Sequence, residues 1–139
     1  MAIRDYARGD VVTAPPEATA GTVADRMDDH GVGSVVITEE DIPVGIVTDR
    51  DLTMRIVAGG GDPAELTARD VMSADPTTID AGASILDAAA LMYEMTVRRL
   101  PVTEDDSLVG IIALDDLTMI LANELSHLAG VVRAEAPRA

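Results

Sequence analysis

A chain of 139 residues, 47% of them hydrophobic, can bury one substantial core but not two independent ones. Its formal net charge of −15, with 25 acids against ten basic residues that are all Arg, repels nucleic acid, and the absence of Cys excludes disulfides, thiolate-bound metal and thiol catalysis. No run approaches the ~18 apolar residues of a membrane span, and the charged start MAIRDYARGD has no apolar signal core, so a cytoplasmic protein is expected.

Phe and Trp are missing and only Tyr6 and Tyr93 are aromatic, so the core must be built from Val, Ile, Leu, Ala and Met. Met27, Met72, Met92, Met95 and Met119 are read as core filler. In chain order, an extended piece at Asp10–Ala14 leads to a helix opened by Thr19, with Met27 on its inner stripe and Gly31 at its end. His30, just before that glycine, is read as a C-terminal cap rather than a ligand. Two apolar runs, Val32–Thr38 and Ile42–Thr48, flank the acidic turn Glu39–Asp41 and predict a hairpin, followed by a helix from about Asp49. Gly59–Gly61 reads as a flexible link. The DPAE that follows predicts another helix, with Asp62 as cap, Pro63 in the first position and Glu65 completing the box.

The second half repeats this grammar. An extended piece at Pro76–Asp80 leads to a helix capped by Ser84 with Met92 inside. The runs Arg98–Thr103 and Ser107–Ala113 then flank the turn Glu104–Asp106, and a helix starts near Asp115. That helix continues on the stripe Leu117, Ile120, Leu121, Leu125 and Leu128 before a frayed tail, Arg133–Ala139. His127 stands alone there, and Ser126 beside it has no partner acid at a useful spacing for a triad.

Residues 3–58 fall on residues 68–123 without a gap, at a shift of 65. Arg4-Asp5 falls on Arg69-Asp70, Met27 on Met92, and VGIVTDRDLTM (Val44–Met54) on VGIIALDDLTM (Val109–Met119). A repeat of this period is a supersecondary unit that needs a neighbour to cover its apolar face. The division is therefore 1–61, a first repeat with its glycine link, and 62–139, a second repeat with a helical extension.

A β-α-β-β-α unit occurring twice, with RDVM (Arg69–Met72) before its first strand and the pattern G-h-x-T-x-x-D (Gly45–Asp51) closing its hairpin, resembles the CBS domain, named for cystathionine β-synthase. The resemblance covers almost the whole chain. It implies an α/β (α+β) fold in which tandem repeats pack as a pseudo-twofold pair with two clefts between them. Such clefts bind adenine nucleotides such as AMP or ATP, or relatives such as S-adenosylmethionine or NAD, and regulate another protein. No catalytic, transport or DNA-binding segment is expected beside the pair, and pairs of this family commonly form dimers.

Two readings share the residues Thr48 and Asp51. One is a capping box, Thr48 as N-cap and Asp51 at N3. The other is a nucleotide site, in which the Thr48 hydroxyl and the helix start donate to a phosphate and Asp51 accepts from two ribose hydroxyls, the role the family gives that position. In TVRRLPV, Arg98 and Arg99 are adjacent, so on a strand they point to opposite faces, and either can be the bidentate phosphate partner. The resemblance brings Ile46, Thr48, Arg50 and Asp51 together with Thr78, Ile79, Arg98, Arg99 and Pro101, the base held by backbone near Thr78 and Ile79. The mirror cleft combines Asp116 with Thr13, Ala14, Gly33, Ser34 and Val36. There Ala113 replaces the threonine, Asp115 replaces Arg50, and no arginine comes from the facing strand, so that cleft is expected to be degenerate.

The function implied is a cytoplasmic regulatory module that senses an adenine nucleotide through one cleft and signals to an unknown partner. The other reading is a structural or interaction protein with no ligand. No nucleophile, activated base or Cys/His metal site supports an enzyme, no cofactor is expected, and the acidic pairs are read as solvated turns or helix faces, a weak Mg²⁺ site among them being the alternative. The long leucine stripe predicts a homodimer. Acid excess without Lys resembles the proteins of salt-accumulating halophilic archaea, against the plainer reading of an acidic protein from an ordinary cell.

Overall fold

The structure is a computed structural model and describes residues 1–137. A 3-10 turn, Ile3–Asp5, precedes β1 (Thr13–Ala14), α1 (Ala20–His30), β2 (Ser34–Glu39), β3 (Ile42–Thr48) and α2 (Asp49–Leu52), which continues as a π-helical turn over Thr53–Ala58. The second half comprises α3 (Ala68–Val71), β4 (Ser73–Ala74), β5 (Ile79–Asp80), α4 (Ile85–Met95), β6 (Arg99–Glu104), β7 (Ser107–Ala113) and α5 (Leu114–Glu135). One sheet runs β1-β2-β3-β4 and the other β5-β6-β7, each opening with a parallel pair and continuing antiparallel. This is the mixed α/β fold that the repeat predicts.

Local chemistry sets most boundaries. Thr19 Oγ1 accepts from the backbone N–H of Thr22 at 3.1 Å to open α1, and Ser84 and Asp87 form a reciprocal capping box that opens α4. Gly31, in the left-handed conformation at φ 63°, is itself the C-cap of α1, so His30 is the last helical residue and not the cap. Both hairpins turn on two residues of positive φ, Glu40-Asp41 and Asp105-Asp106, as a type I′ turn requires.

Three further expectations need correction. Met95 and Met119 are not core filler, since they are 50% and 61% exposed. DPAE does not start a helix: Asp62 caps a single turn, its carboxylate accepting from the N–H of Ala64 at 2.9 Å. The carbonyls of Pro63 and Leu66 instead accept from the N–H groups of Gly21 and Ala20, the unpaired donors at the start of α1. The last helix also runs further than expected, because Arg133–Glu135 belong to α5; the end of the expected tail, Arg138 and Ala139, lies outside the described residues.

The cores cross the division at 61/62. Around Val23, Val35, Ile37 and Val47 of the first repeat sit Ala68 and Val71 of the second; around Ile85, Leu100, Val102 and Ile112 of the second sits Ile3 of the first. The exchange is symmetric to the hydrogen bond. Ile3 and Arg4 donate to the carbonyls of Ala83 and Ala81, while Ala68 and Arg69 donate to those of Ala18 and Pro16. The repeat's shared glycine makes room for the crossing strap: a Cβ at Gly45 would lie 2.3 Å from Met72 Sδ, and one at Gly110 would lie 3.0 Å from the Arg8 carbonyl.

Candidate ligand-binding clefts

Strap and hairpin together frame two clefts related by the repeat. In the first, Ser73 pairs with Ile46; in the second, Arg8 bridges to Ile111. The first cleft has a volume of about 620 Å³, the second about 330 Å³. The larger lies within the ~300–1,000 Å³ of small-molecule sites.

Ile46, Thr48, Arg50, Asp51, Arg98, Arg99 and Pro101 line the first cleft together. Thr78 and Ile79 do not. Ile79 enters β5 opposite Val102 and points into the second core, and Thr78 faces a separate shallow depression beside Ile42 and Pro43. The approach segment Asp75–Thr77 lines the cleft in their place. Both arginines line it because β6 begins at Arg99, so the alternation of a strand does not apply to Arg98.

At the mouth of α2 both halves of the capping box are made: the Thr48 N–H donates to Asp51 Oδ2 at 2.9 Å and the Asp51 N–H donates to Thr48 Oγ1 at 3.2 Å. No hydrogen bond from the described residues reaches the second carboxylate oxygen, Oδ1. The arginines are equally unengaged. Arg4, Arg8 and Arg69 pair with carboxylates, whereas Arg50, Arg98 and Arg99 form no ion pair within 4 Å among the described residues. In a chain with 25 acids, three such cations on one cavity are a concentration of free positive charge. Asp49, Asp51 and Asp75 share the lining and keep the cleft near neutrality against the acidic surface.

The second cleft holds Ser34, Gly33 and Asp116, but Thr13, Ala14 and Val36 are not in its lining. Ala14 and Val36 are fully buried, and the Thr13 carbonyl accepts from the Arg26 guanidinium. Asp10–Val12 line it instead, the same offset as Asp75–Thr77 in the first cleft. An arginine is present after all. Arg8, from the strap rather than the facing strand, donates to Asp116 Oδ1 at 3.0 Å, and Asp116 Oδ2 accepts from the Ala113 N–H at 2.9 Å. Arg99 borders both clefts, passing over Gly33, where a Cβ would lie 3.0 Å from its Nη2. Comparing the repeats at position 8 against 73, as at 48 against 113, would have flagged Arg8.

Compared with known families, the chain matches the CBS domain twice, over residues 3–58 and 68–123. It belongs to the CBS-domain family. Among relatives, a CBS domain-containing protein of Bacillus subtilis, YhcV, is 34% identical over 125 residues, covering 90% of this chain and 86% of its own. An uncharacterized protein of Methanopyrus kandleri is 39% identical over 122 residues; the match takes 86% of this chain but only 62% of that longer protein. A crystal structure of Hypoxic Response Protein I with two coordinated zinc ions superimposes with a TM-score of 0.78 at 32% identity, covering 86% of this chain and 98% of that one. Among the described residues here, no three of His, Asp and Glu gather as metal ligands, and no helix is long and apolar enough to cross a membrane.

Proposed function

We propose that this CBS pair is a cytoplasmic regulatory module that binds one adenine nucleotide, AMP- or ATP-like, in the first cleft and passes the signal to a partner protein by a change of shape. The observation that carries this is the pairing of free groups in one cavity: the arginines at 50, 98 and 99, which have no carboxylate partner among the described residues, and the Asp51 oxygen left over by the capping box. A guanidinium is a bidentate donor to phosphate, and a carboxylate oxygen accepts from vicinal ribose hydroxyls. Ile46, Val97 and Pro101 offer the aliphatic walls between which a base can lie.

The working form we propose is a homodimer through α5. Leu121, Leu125, Leu128 and Val132 fall at spacings of four, three and four, the seam of two packed helices, and are 41–68% exposed. The stripe continues into an apolar groove between α4 and α5 beside Met92, Tyr93 and Leu117. We assign the acidic surface to work at high salt.

Thermal unfolding with adenosine, AMP, ATP, NAD and S-adenosylmethionine, run at high KCl, tests the nucleotide reading. A ligand at ~100 times its Kd adds about 2.7 kcal/mol to folding. Stabilisation by an adenine nucleotide is expected; no response from any of the five returns the chain to a purely structural role.

A further inference from the structure

Under the 65-residue repeat, Arg8 stands where Ser73 stands, and the backbone holds both in the same way. Ser73 is paired to Ile46 of one hairpin, and Arg8 to Ile111 of the other through N–H···O bonds of 3.0 Å in both directions. The strap that carries Arg8 is anchored by the fully buried Ile3 and its bond to the Ala83 carbonyl. The two clefts therefore present the same site with a serine on one side and an arginine on the other. Their acids differ to match. Each uses Oδ2 to cap its helix, but Asp51 keeps Oδ1 free while Asp116 gives Oδ1 to the Arg8 guanidinium.

Resting on the nucleotide reading of the first cleft, we infer that Arg8 decides which cleft takes a ligand: its guanidinium is the chain's own occupant of the second cleft, holding the Asp116 oxygen that a pair of nucleoside hydroxyls would need. The loss of threonine and arginine at 113 and 115 weakens phosphate binding in this cleft, which shares Arg99 with the first, and Arg8 opposes nucleoside binding. Each oxygen of Asp116 already accepts one bond, so ribose hydroxyls would have to share Oδ1 with the Arg8 guanidinium, and an arginine tethered on a bonded strap competes at a high effective concentration with any ligand in solution. Asp10, Asp115 and Asp116 outnumber Arg99 among the charges lining the same cleft and repel an anionic ligand, so the cleft that Arg8 vacates suits an uncharged nucleoside rather than a nucleotide.

Calorimetric titration of the full chain with adenosine and with AMP tests this. The wild type should take one adenosine per chain, Arg8→Ser two, and Arg8→Ser with Asp116→Asn one again, while AMP stays at one per chain throughout. A single adenosine site in Arg8→Ser overturns the inference, as does a second adenosine site already present in the wild type. If neither chain binds adenosine or AMP, the nucleotide reading of the first cleft fails. The contact is then decided without a ligand, by hydrogen exchange of the Arg8 guanidinium in NMR. Exchange slower in the wild type than in Asp116→Asn supports the self-occupied cleft, and equal rates overturn it.

Discussion

Thr48 and Asp51 cap one another across the first turn of α2, at 2.9 and 3.2 Å, and the bond between them consumes only one oxygen of the carboxylate. A residue can thus close a helix and still offer an acceptor to the cleft. Asp51→Asn keeps a carbonyl oxygen for the Thr48 N–H but replaces the other oxygen by a donor. Two hydroxyl bonds to a charged acceptor, ~1.5–3 kcal/mol each, are lost, so AMP binding should weaken at least tenfold by calorimetry. Asp116→Asn should leave it within about twofold, since Asp116 lines only the second cleft and its bonds go to Arg8 and the Ala113 N–H. Equal losses from the two variants would show that both clefts bind.

Arg98 and Arg99 both line the first cleft with no ion pair among the described residues, so both are available to a phosphate. Arg99→Ala should weaken AMP by ~tenfold or more and adenosine little, because only AMP carries the group that a guanidinium grips bidentately. Arg98→Ala should do the same to a lesser degree, being the more exposed of the pair. Parallel losses for AMP and adenosine would assign the arginines to shaping the cleft instead.

Leu125 and Leu128 are 67% and 65% exposed on α5 and lie at the centre of its seam. Light scattering in high salt should give twice the 14.5 kDa chain mass for the wild type and the single-chain mass for Leu125→Glu with Leu128→Glu, because charges facing each other in a helical seam are desolvated unpaired. A 14.5 kDa wild type at micromolar concentration removes the dimer.

Two helix caps respond to acid. Bonds first from the backbone N–H and then from the hydroxyl of Thr67 hold the Asp70 carboxyl below its ordinary 3.8, and those of Ser84 do the same for Asp87. Depressed folded-state values mean that this stabilisation is complete above the unfolded value and is lost as pH falls below 3.8 through the folded one. The melting-temperature gap between the wild type and Asp70→Asn with Asp87→Asn should be steady from neutral pH to about 5 and close below that window. Both groups are fully exposed, so the gap is small; a gap that widens in acid would contradict the caps.

Self-repulsion among 25 acids is relieved by screening. The melting temperature should therefore climb as KCl rises from ~0.1 M, where the Debye length is about 10 Å, to molar levels. A flat or falling curve would remove the assignment to high salt.

What could be read from the sequence was what neighbouring residues decide. Thr19, Ser84 and Gly31 mark helix ends through bonds within a turn, and the alternating runs about Glu39–Asp41 and Glu104–Asp106 form their hairpins without help from elsewhere. DPAE was misleading for the opposite reason: the Pro63 carbonyl, and that of Leu66 just after the motif, are claimed by α1, more than forty residues back along the chain. The cleft was legible where the repeat puts a residue on a hairpin strand, as at Thr48 and Pro101, and shifted where an irregular segment approaches, so that Asp75–Thr77 stand in for Thr78 and Ile79. Arg8 was missed because its partner, Asp116, is 108 positions away and belongs to the other half.

The exchange of opening turns means that neither repeat owns a complete core. A cut within Gly59–Gly61 would leave two fragments clasped together, each holding part of the other's interior, rather than two domains. A fragment of one repeat alone lacks either the Ala68 and Val71 that fill the first core or the Ile3 that fills the second, and it can complete itself only by trading turns with a second fragment at sufficient concentration. Joining both copies in one chain converts that concentration-dependent assembly into an intramolecular event, so the doubled sequence is the smallest unit of this protein that folds at any dilution.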